Sequence, residues 1–181
     1  MPFICCSSLT SATYPNRQDT EPNGPKSTSI RLPDGTSALL AETRDRVLRD
    51  LDAFISGGAD YGLIHADLVR ENILVSGSDI RMIDFDDSGF GFRLFDIATA
   101  LVKNRNEPHY DAMMGALIEG CRTQRELPQR ELDSLPLFIL LRALTYLGWA
   151  EARKTEPDME TRRARLKTDA LALARAYLVA D

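Results

Sequence analysis

Between Tyr61 and Asp87, His65, Asp67 and Asn72 stand as H-x-D-x-x-x-x-N, and an apolar pair, Met82-Ile83, then delivers Asp84 at the head of Asp84-Phe85-Asp86-Asp87. The chemistry these residue types support is phosphoryl transfer. One amide oxygen and one carboxylate suit a hard cation such as Mg2+, which takes oxygen ligands and keeps waters and substrate phosphates in its remaining positions. Asp67 is then left to accept a proton from a substrate hydroxyl. Positioning and charge neutralisation do most of the work in this class of reaction, so a base, a metal-binding amide and a metal-binding carboxylate are the expected parts. Each residue taken alone is better explained as a turn cap; it is the joint spacing that points to a site.

The elements that must position these groups are short. Leu63-Ile64 is an apolar lead-in, Ile73-Leu74-Val75 a β-branched run, Ser76 to Asp79 turn chemistry, and Ile80 to Phe85 a second strand-like run, which together predict a loop followed by a hairpin. A hairpin brings its ends together, so Asn72 and Asp84 are expected to approach one another beside the loop that holds Asp67. Ser88-Gly89-Phe90-Gly91-Phe92 reads as a glycine-punctuated loop, and Phe95 to about Lys103 as a short helix. Asp96 lies near the start of that helix, where a carboxylate satisfies unpaired amides and favours the helix dipole.

These motifs resemble the catalytic and metal-binding loops of the aminoglycoside phosphotransferase and choline kinase-like superfamily, relatives of the protein kinases that act on small-molecule hydroxyls. The resemblance is carried by Ile64-His65-Ala66-Asp67, Asn72-Ile73-Leu74, Ile83-Asp84-Phe85-Asp86-Asp87 and Phe95-Asp96-Ile97-Ala98. It is most similar to the bacterial branch of homoserine kinase-like and stress-response kinase-like proteins. It implies an α+β, mainly α fold: a protein kinase-like C-terminal helical lobe with a catalytic-loop β-hairpin. It also implies ATP as phosphoryl donor, Mg2+ as cofactor and a small-molecule hydroxyl as acceptor. By this resemblance Asp67 is the catalytic base, Asn72 and Asp84 bind metal and nucleotide, and His65 and Asp96 support the loop. Asp86 is a further candidate ligand; contacts to metal or to a cationic substrate are open to it and to Asp87, with a secondary or structural role the favoured reading.

The remainder of the chain bounds these expectations. At 181 residues and 44% hydrophobic content it can bury one sizeable core. A net charge of -5 without long single-sign blocks gives no footprint for nucleic acid or an anionic membrane. No uninterrupted apolar run reaches the roughly 18 to 20 residues of a membrane span, and the N-terminus lacks the pattern of a signal peptide, so a cytoplasmic protein is expected. Cys5, Cys6 and Cys121 offer neither metal-ligand spacing nor a disulfide framework. Cys121 falls in a helical pattern as a small buried thiol, and His109 reads as surface.

Residues 1–37 hold Pro2, Pro15, Pro22, Pro25 and Pro33, five of the nine prolines, with no sustained period. They read as an extended or disordered arm, with a brief strand at Ser29 to Leu32, before a phosphotransferase lobe over residues 38–181. Helical periodicity predicts helices over Ala38 to Ser56, Tyr110 to Arg122, Leu135 to Lys154 and Glu160 to Val179. Gly57-Gly58 ends the first of them. A nucleotide-clamping N-terminal lobe needs roughly 40 residues of regular structure before any loops, and the arm shows no G-x-G-x-x-G run, so that lobe is expected to be missing. Three readings follow: a MgATP-dependent kinase acting on a small hydroxyl compound, a truncated and inactive relative, or a ligand-binding regulatory module. Apolar surface near the first helix and the Phe90 to Phe95 loop is expected to be covered by a second copy, giving a homodimer, or by the arm. Glu119 and Trp149 are candidate acceptor-pocket residues alongside Asp86 and Asp87.

Overall fold

The computed structural model describes residues 38–180; the arm over residues 1–37 and its strand lie outside them. The described chain falls into two compact units, one formed by Ala59–Leu135 and the other by the described parts of Ser27–Gly58 and Pro136–Asp181.

The first unit carries four short strands. Strand β1, Tyr61–Ile64, pairs antiparallel with β4, Gly89–Phe92, with Tyr61 opposite Phe92 and Ile64 opposite Gly89. The Tyr61 and Phe92 rings meet edge to face at 5.4 Å between centroids, a favourable cross-strand pair. Strand β2, Ile73–Ser76, and β3, Asp79–Met82, form the predicted hairpin, turned at Gly77, whose φ of 60° is open to glycine without steric penalty. Two boundaries differ from the sequence reading. Residues 89–92 form a strand rather than a loop: the glycines at 89 and 91 hide the alternation of Phe90 and Phe92. The second hairpin strand stops at Met82 instead of reaching Phe85, and Asp84 adopts a φ of 63°, which no β-strand accommodates.

Helix α2, Arg93–Val102, follows β4 directly and buries Leu94, Ile97, Ala98, Leu101 and Val102. Helix α3, Tyr110–Arg122, ends at the predicted residue and buries Cys121, as expected for a small thiol. His109 is exposed, in agreement with its surface reading. The short α4, Gln129–Leu132, was not foreseen; Pro128 at its N-cap sets its entry.

The second unit is helical. Helix α1, Ala38–Ser56, has the predicted bounds and buries Leu40, Thr43, Val47 and Leu51 as one stripe. Helix α5, Leu135–Ala152, buries Leu137, Phe138, Leu140, Leu141, Leu144 and Leu147 among others, and Phe54 of α1 meets Phe138 edge to face at 5.0 Å. Helix α6, Met159–Val179, packs against α1, but its fully buried residues are Met159, Ala170 and Ala174. The larger Leu166, Leu171, Leu173, Tyr177 and Leu178 are half-buried. Alanines four apart let two helix backbones approach, and longer side chains then flank the seam. The Tyr177 hydroxyl donates to Asp50 Oδ2 at 2.5 Å, joining α6 to α1; burial first, then this bond, raise its pKa. The stretch Gln129–Ala152 is long and apolar enough by composition to cross a membrane, yet half of its apolar window is buried in the fold, the pattern of a core helix.

Candidate active site

All the residues singled out by spacing lie in the unit formed by Ala59–Leu135. The loop after β1 turns sharply at Ala66, whose φ of 65° places a non-glycine residue in the left-handed region. What holds that turn is Asp96 on α2. Its Oδ2 accepts the His65 amide at 2.8 Å and its Oδ1 accepts the Ala66 amide at 2.9 Å. The carboxylate is 1% exposed. A buried carboxylate is tolerated when amides satisfy its lone pairs, and here it satisfies two amides that the turn removes from regular pairing. These amides lie 31 and 30 residues upstream, whereas the start-of-helix reading had expected amides of its own helix.

His65 is fully buried. Its Nε2 lies 2.9 Å from the Ile83 carbonyl, and because a carbonyl only accepts, Nε2 carries the proton in this bond. Its ring also packs on Phe85 at 4.7 Å between centroids. Among the described residues Nδ1 has no hydrogen-bond partner, so the ring is anchored through Nε2 and its apolar face. One side chain thereby grips both flanks of Asp84, the carbonyl before it and the ring after it, and Asp84 holds its own left-handed turn between them. The Phe85 contact was not foreseen; the aromatic in Ile83-Asp84-Phe85 was the available signal.

A 3-10 turn over Arg70–Asn72 carries the chain from the loop into β2. Asn72 Nδ2 donates to the Asp67 carbonyl at 2.9 Å and to Asp67 Oδ2 at 3.3 Å. With Nδ2 turned to Asp67, Oδ1 is the acceptor face of the amide and fits an oxygen-seeking cation. The Asn72 carbonyl accepts the Ile83 amide at 3.0 Å, one step beyond the β2–β3 register, which sets Asp84 next in chain to a residue hydrogen-bonded to Asn72. The hairpin and the loop thus set Asp67 against Asn72 and place Asp84 next to the residue bonded to Asn72, with Asp67 partly exposed and Asp84 exposed. Asp86 and Asp87 are exposed too, and the Ser88 amide and hydroxyl donate to the Phe85 carbonyl to close the turn around them. Among the described residues no three His, Cys, Asp or Glu side chains converge as a metal cluster. A pair made of one amide and one carboxylate would leave most of a cation's positions to waters and phosphates. Glu119 is exposed in the same unit; Trp149, half-buried in the helical unit, is flanked by the Arg153 and Arg162 guanidinium groups at 4.6 and 4.7 Å from its ring centroid.

Comparison with known proteins follows the same lines. A model described as the phosphotransferase enzyme family matches residues 8–132. An uncharacterised protein of Deinococcus radiodurans is 31% identical over 134 residues, covering 69% of this chain and 38% of that protein. A microcompartment-associated aminopropanol kinase superposes with a TM-score of 0.69 at 36% identity, over 78% of this chain and 45% of that one. The amicoumacin kinase hAmiN, solved with AMP-PNP and Ca2+, superposes with a TM-score of 0.60 at 24% identity, over 74% of this chain and 44% of that one, a likeness of fold. The chain therefore spans less than half the length of each protein it resembles here.

Proposed function

The chain belongs to the phosphotransferase enzyme family, and we propose that it carries the catalytic and metal-binding loops of an ATP-dependent kinase that transfers the γ-phosphate to a hydroxyl of a small molecule. The observation that carries this reading is the joint hold on the two loops. Asn72 binds Asp67 through its side chain and Ile83 through its carbonyl, while His65 binds the Ile83 carbonyl.

In this reading Asp67 accepts the acceptor hydroxyl's proton as its oxygen attacks the γ-phosphorus of ATP and the bond to the bridging oxygen breaks, releasing ADP. The hydrogen bond from Asn72 Nδ2 fixes the orientation of its carboxylate, so that no rotamer search precedes the step. Asn72 Oδ1 and the Asp84 carboxylate would hold Mg2+, with Asp86 close in sequence as a further oxygen donor. When bound, the cation neutralises charge on the phosphate oxygens. His65 and Asp96 touch no reactant; they hold the loops. Asp84 projects from a left-handed turn pinned on both sides, which suits a carboxylate that must meet a cation without rearrangement.

The first acceptor to try is a short amino alcohol, since the aminopropanol kinase shares 36% identity with this chain, and the exposed carboxylates of Asp86 and Asp87 offer partners to an ammonium group.

The test is equilibrium binding of ATP to the chain with and without Mg2+, run alongside Asp84→Asn and Asp67→Asn. Metal-dependent binding that Asp84→Asn loses and Asp67→Asn keeps is the expected result. In an assay of phosphoryl transfer, Asp67→Asn should then lower turnover by about 100-fold or more. Equal loss of nucleotide binding in both variants would show that the two carboxylates do not have separate roles.

A further inference from the structure

At the base of β1, away from the groups given chemical roles, lies a cluster of four charged residues from four segments. Asp60 immediately precedes β1. Its carbonyl accepts the Arg93 amide at 3.2 Å, its Oδ1 accepts Arg93 Nη1, and its Oδ2 accepts Arg125 Nη1 at 2.6 Å. Arg125 Nη1 also lies 3.8 Å from Glu131 Oε2 on α4. Arg93 is the first residue of α2, the helix that carries Asp96 one turn later.

Gly62 makes this arrangement possible. A Cβ at that position would fall 2.1 Å from Arg93 Nη2 and 2.5 Å from its Cζ, so the guanidinium lies directly across the strand where a side chain would otherwise stand. The backbone of Gly62 has no positive φ, so glycine serves here for space rather than for conformation. Its register partner Gly91 does the same for Ile64, whose Cδ1 would meet an added Cβ at 2.4 Å.

The cluster is a poor device for stability. Among the described residues the buried Arg93 Nε, Arg125 Nε and Arg125 Nη2 have no acceptor, and part-buried ion pairs that leave donors unpaired contribute little net energy. What such a group supplies is a fixed arrangement. Here β1 and α2 are tied twice: at one end through Asp60 and Arg93, at the other through the His65 and Ala66 amides on Asp96.

We infer that Asp60, Arg93 and Arg125, with Gly62 as the gap they require, are positioning residues that set the catalytic loop against α2 so that Asp96 meets the His65 and Ala66 amides. The loop's place in catalysis rests on the phosphotransferase reading; the positioning itself does not.

The test is site-resolved amide hydrogen exchange on the whole chain, comparing the wild type with Gly62→Ala, Asp60→Asn and Arg93→Lys, and needing no nucleotide. Selective acceleration at His65 and Ala66 of about tenfold in Gly62→Ala is expected, with the Leu101 and Val102 amides inside α2 unchanged. Asp60→Asn, nearly isosteric, should give the same pattern in milder form and stands as the second variant if Gly62→Ala fails to fold. Arg93→Lys, which keeps one charged donor for Asp60, should fall between it and the wild type. Unchanged exchange at His65 and Ala66, or acceleration spread evenly over the amides of the unit, overturns the inference, the latter by showing a merely global loss of stability. Absence of Mg2+-dependent ATP binding by the wild type, with the selective exchange pattern present in the variants, would instead sink the kinase reading and leave the positioning standing.

Discussion

The two small sheets of the unit formed by Ala59–Leu135 are built on opposite terms. The β1–β4 pair is gripped by polar groups: the half-buried Asp60 and Arg93 at one end, the buried Asp96 and His65 at the other. The β2–β3 hairpin is two strands of four residues with Leu74, Val75 and the adjoining Ile83 exposed, Val75 to 68%. An isolated hairpin of that length is marginal in water. Its attachments are at its open end, where Asn72 bonds Asp67 and the Ile83 carbonyl meets His65. One sheet therefore acts as the fixed base and the other as the arm that presents Asn72 and Asp84. The difference teaches that substitutions of similar size should cost very different amounts according to the sheet they touch.

The sharpest way to break the comparison is at Asp96. Asp96→Ala leaves the His65 and Ala66 amides unsatisfied, and the His65 amide is bonded in a buried site. Each orphaned group costs about 1–3 kcal/mol, so a loss of about 3 kcal/mol or more is expected in urea unfolding. Asp96→Asn keeps one acceptor oxygen and should lose about half as much. A loss below about 1 kcal/mol for the alanine variant would mean that the turn at Ala66 is held by other contacts.

Next comes the bridge between the sheets. His65→Phe keeps a ring against Phe85 but removes the donor to the Ile83 carbonyl. A cost of about 1–2 kcal/mol is expected from the lost hydrogen bond. Mg2+-dependent ATP binding should weaken by more than this stability loss accounts for, because the turn at Asp84 is released on one side. Binding that falls only in proportion to the unfolded fraction would show that His65 does not place Asp84.

A smaller effect sharpens the account of the base. Burial first, and then the charge of Asp60, raise the pKa of Glu131 above its ordinary value of 4.5, outweighing the pull of Arg125, Arg130 and Arg93. The folded state thus holds the Glu131 proton more tightly than the unfolded chain does. The stability this contributes is complete below the ordinary value and is lost as pH rises through the raised one. Glu131→Gln is neutral at every pH, so relative to wild type it should be more stable near pH 7 than near pH 4. The reverse order in urea unfolding at the two values would mean that attraction to the arginines prevails.

How much of this was legible in the sequence divides along the same line. The reactive residue types, the hairpin and the bounds of α1 and α3 follow from local pattern: spacing, turn residues and helical period. The base does not, because its bonds join residues 33 and 65 positions apart, which no local period encodes. Its one local trace is Gly62 inside a strand, a sign of close approach by another group. The strand over residues 89–92 escaped because glycines occupy one face of it. The early end of β3 escaped because Asp84 enters the left-handed region, a conformation the side chain tolerates but does not announce. Where apolar surface was foreseen, Leu40, Val47 and Leu51 of α1 and Leu94 are buried, while Phe90 is exposed.

The smallest expected effect lies on the arm, and its smallness is the point. Val75 sits mid-strand in β2, paired with Ile80, and its side chain is exposed. Val75→Thr keeps the β-branched shape that suits a strand and changes one methyl to a hydroxyl in contact with water. With no core position vacated and no buried polar group created, none of the mechanisms that produce large losses operates, and the change should stay within about 0.5 kcal/mol. The same substitution at a buried position would leave a hydroxyl unsatisfied at a cost of about 1–3 kcal/mol. Urea unfolding of Val75→Thr therefore reads directly whether β2 is open to solvent in the folded chain. A loss above about 1 kcal/mol would place a partner surface over the hairpin, and repeating the measurement across a range of protein concentration would then separate a second copy of this chain, whose protection grows with concentration, from a segment of the same chain, whose protection does not.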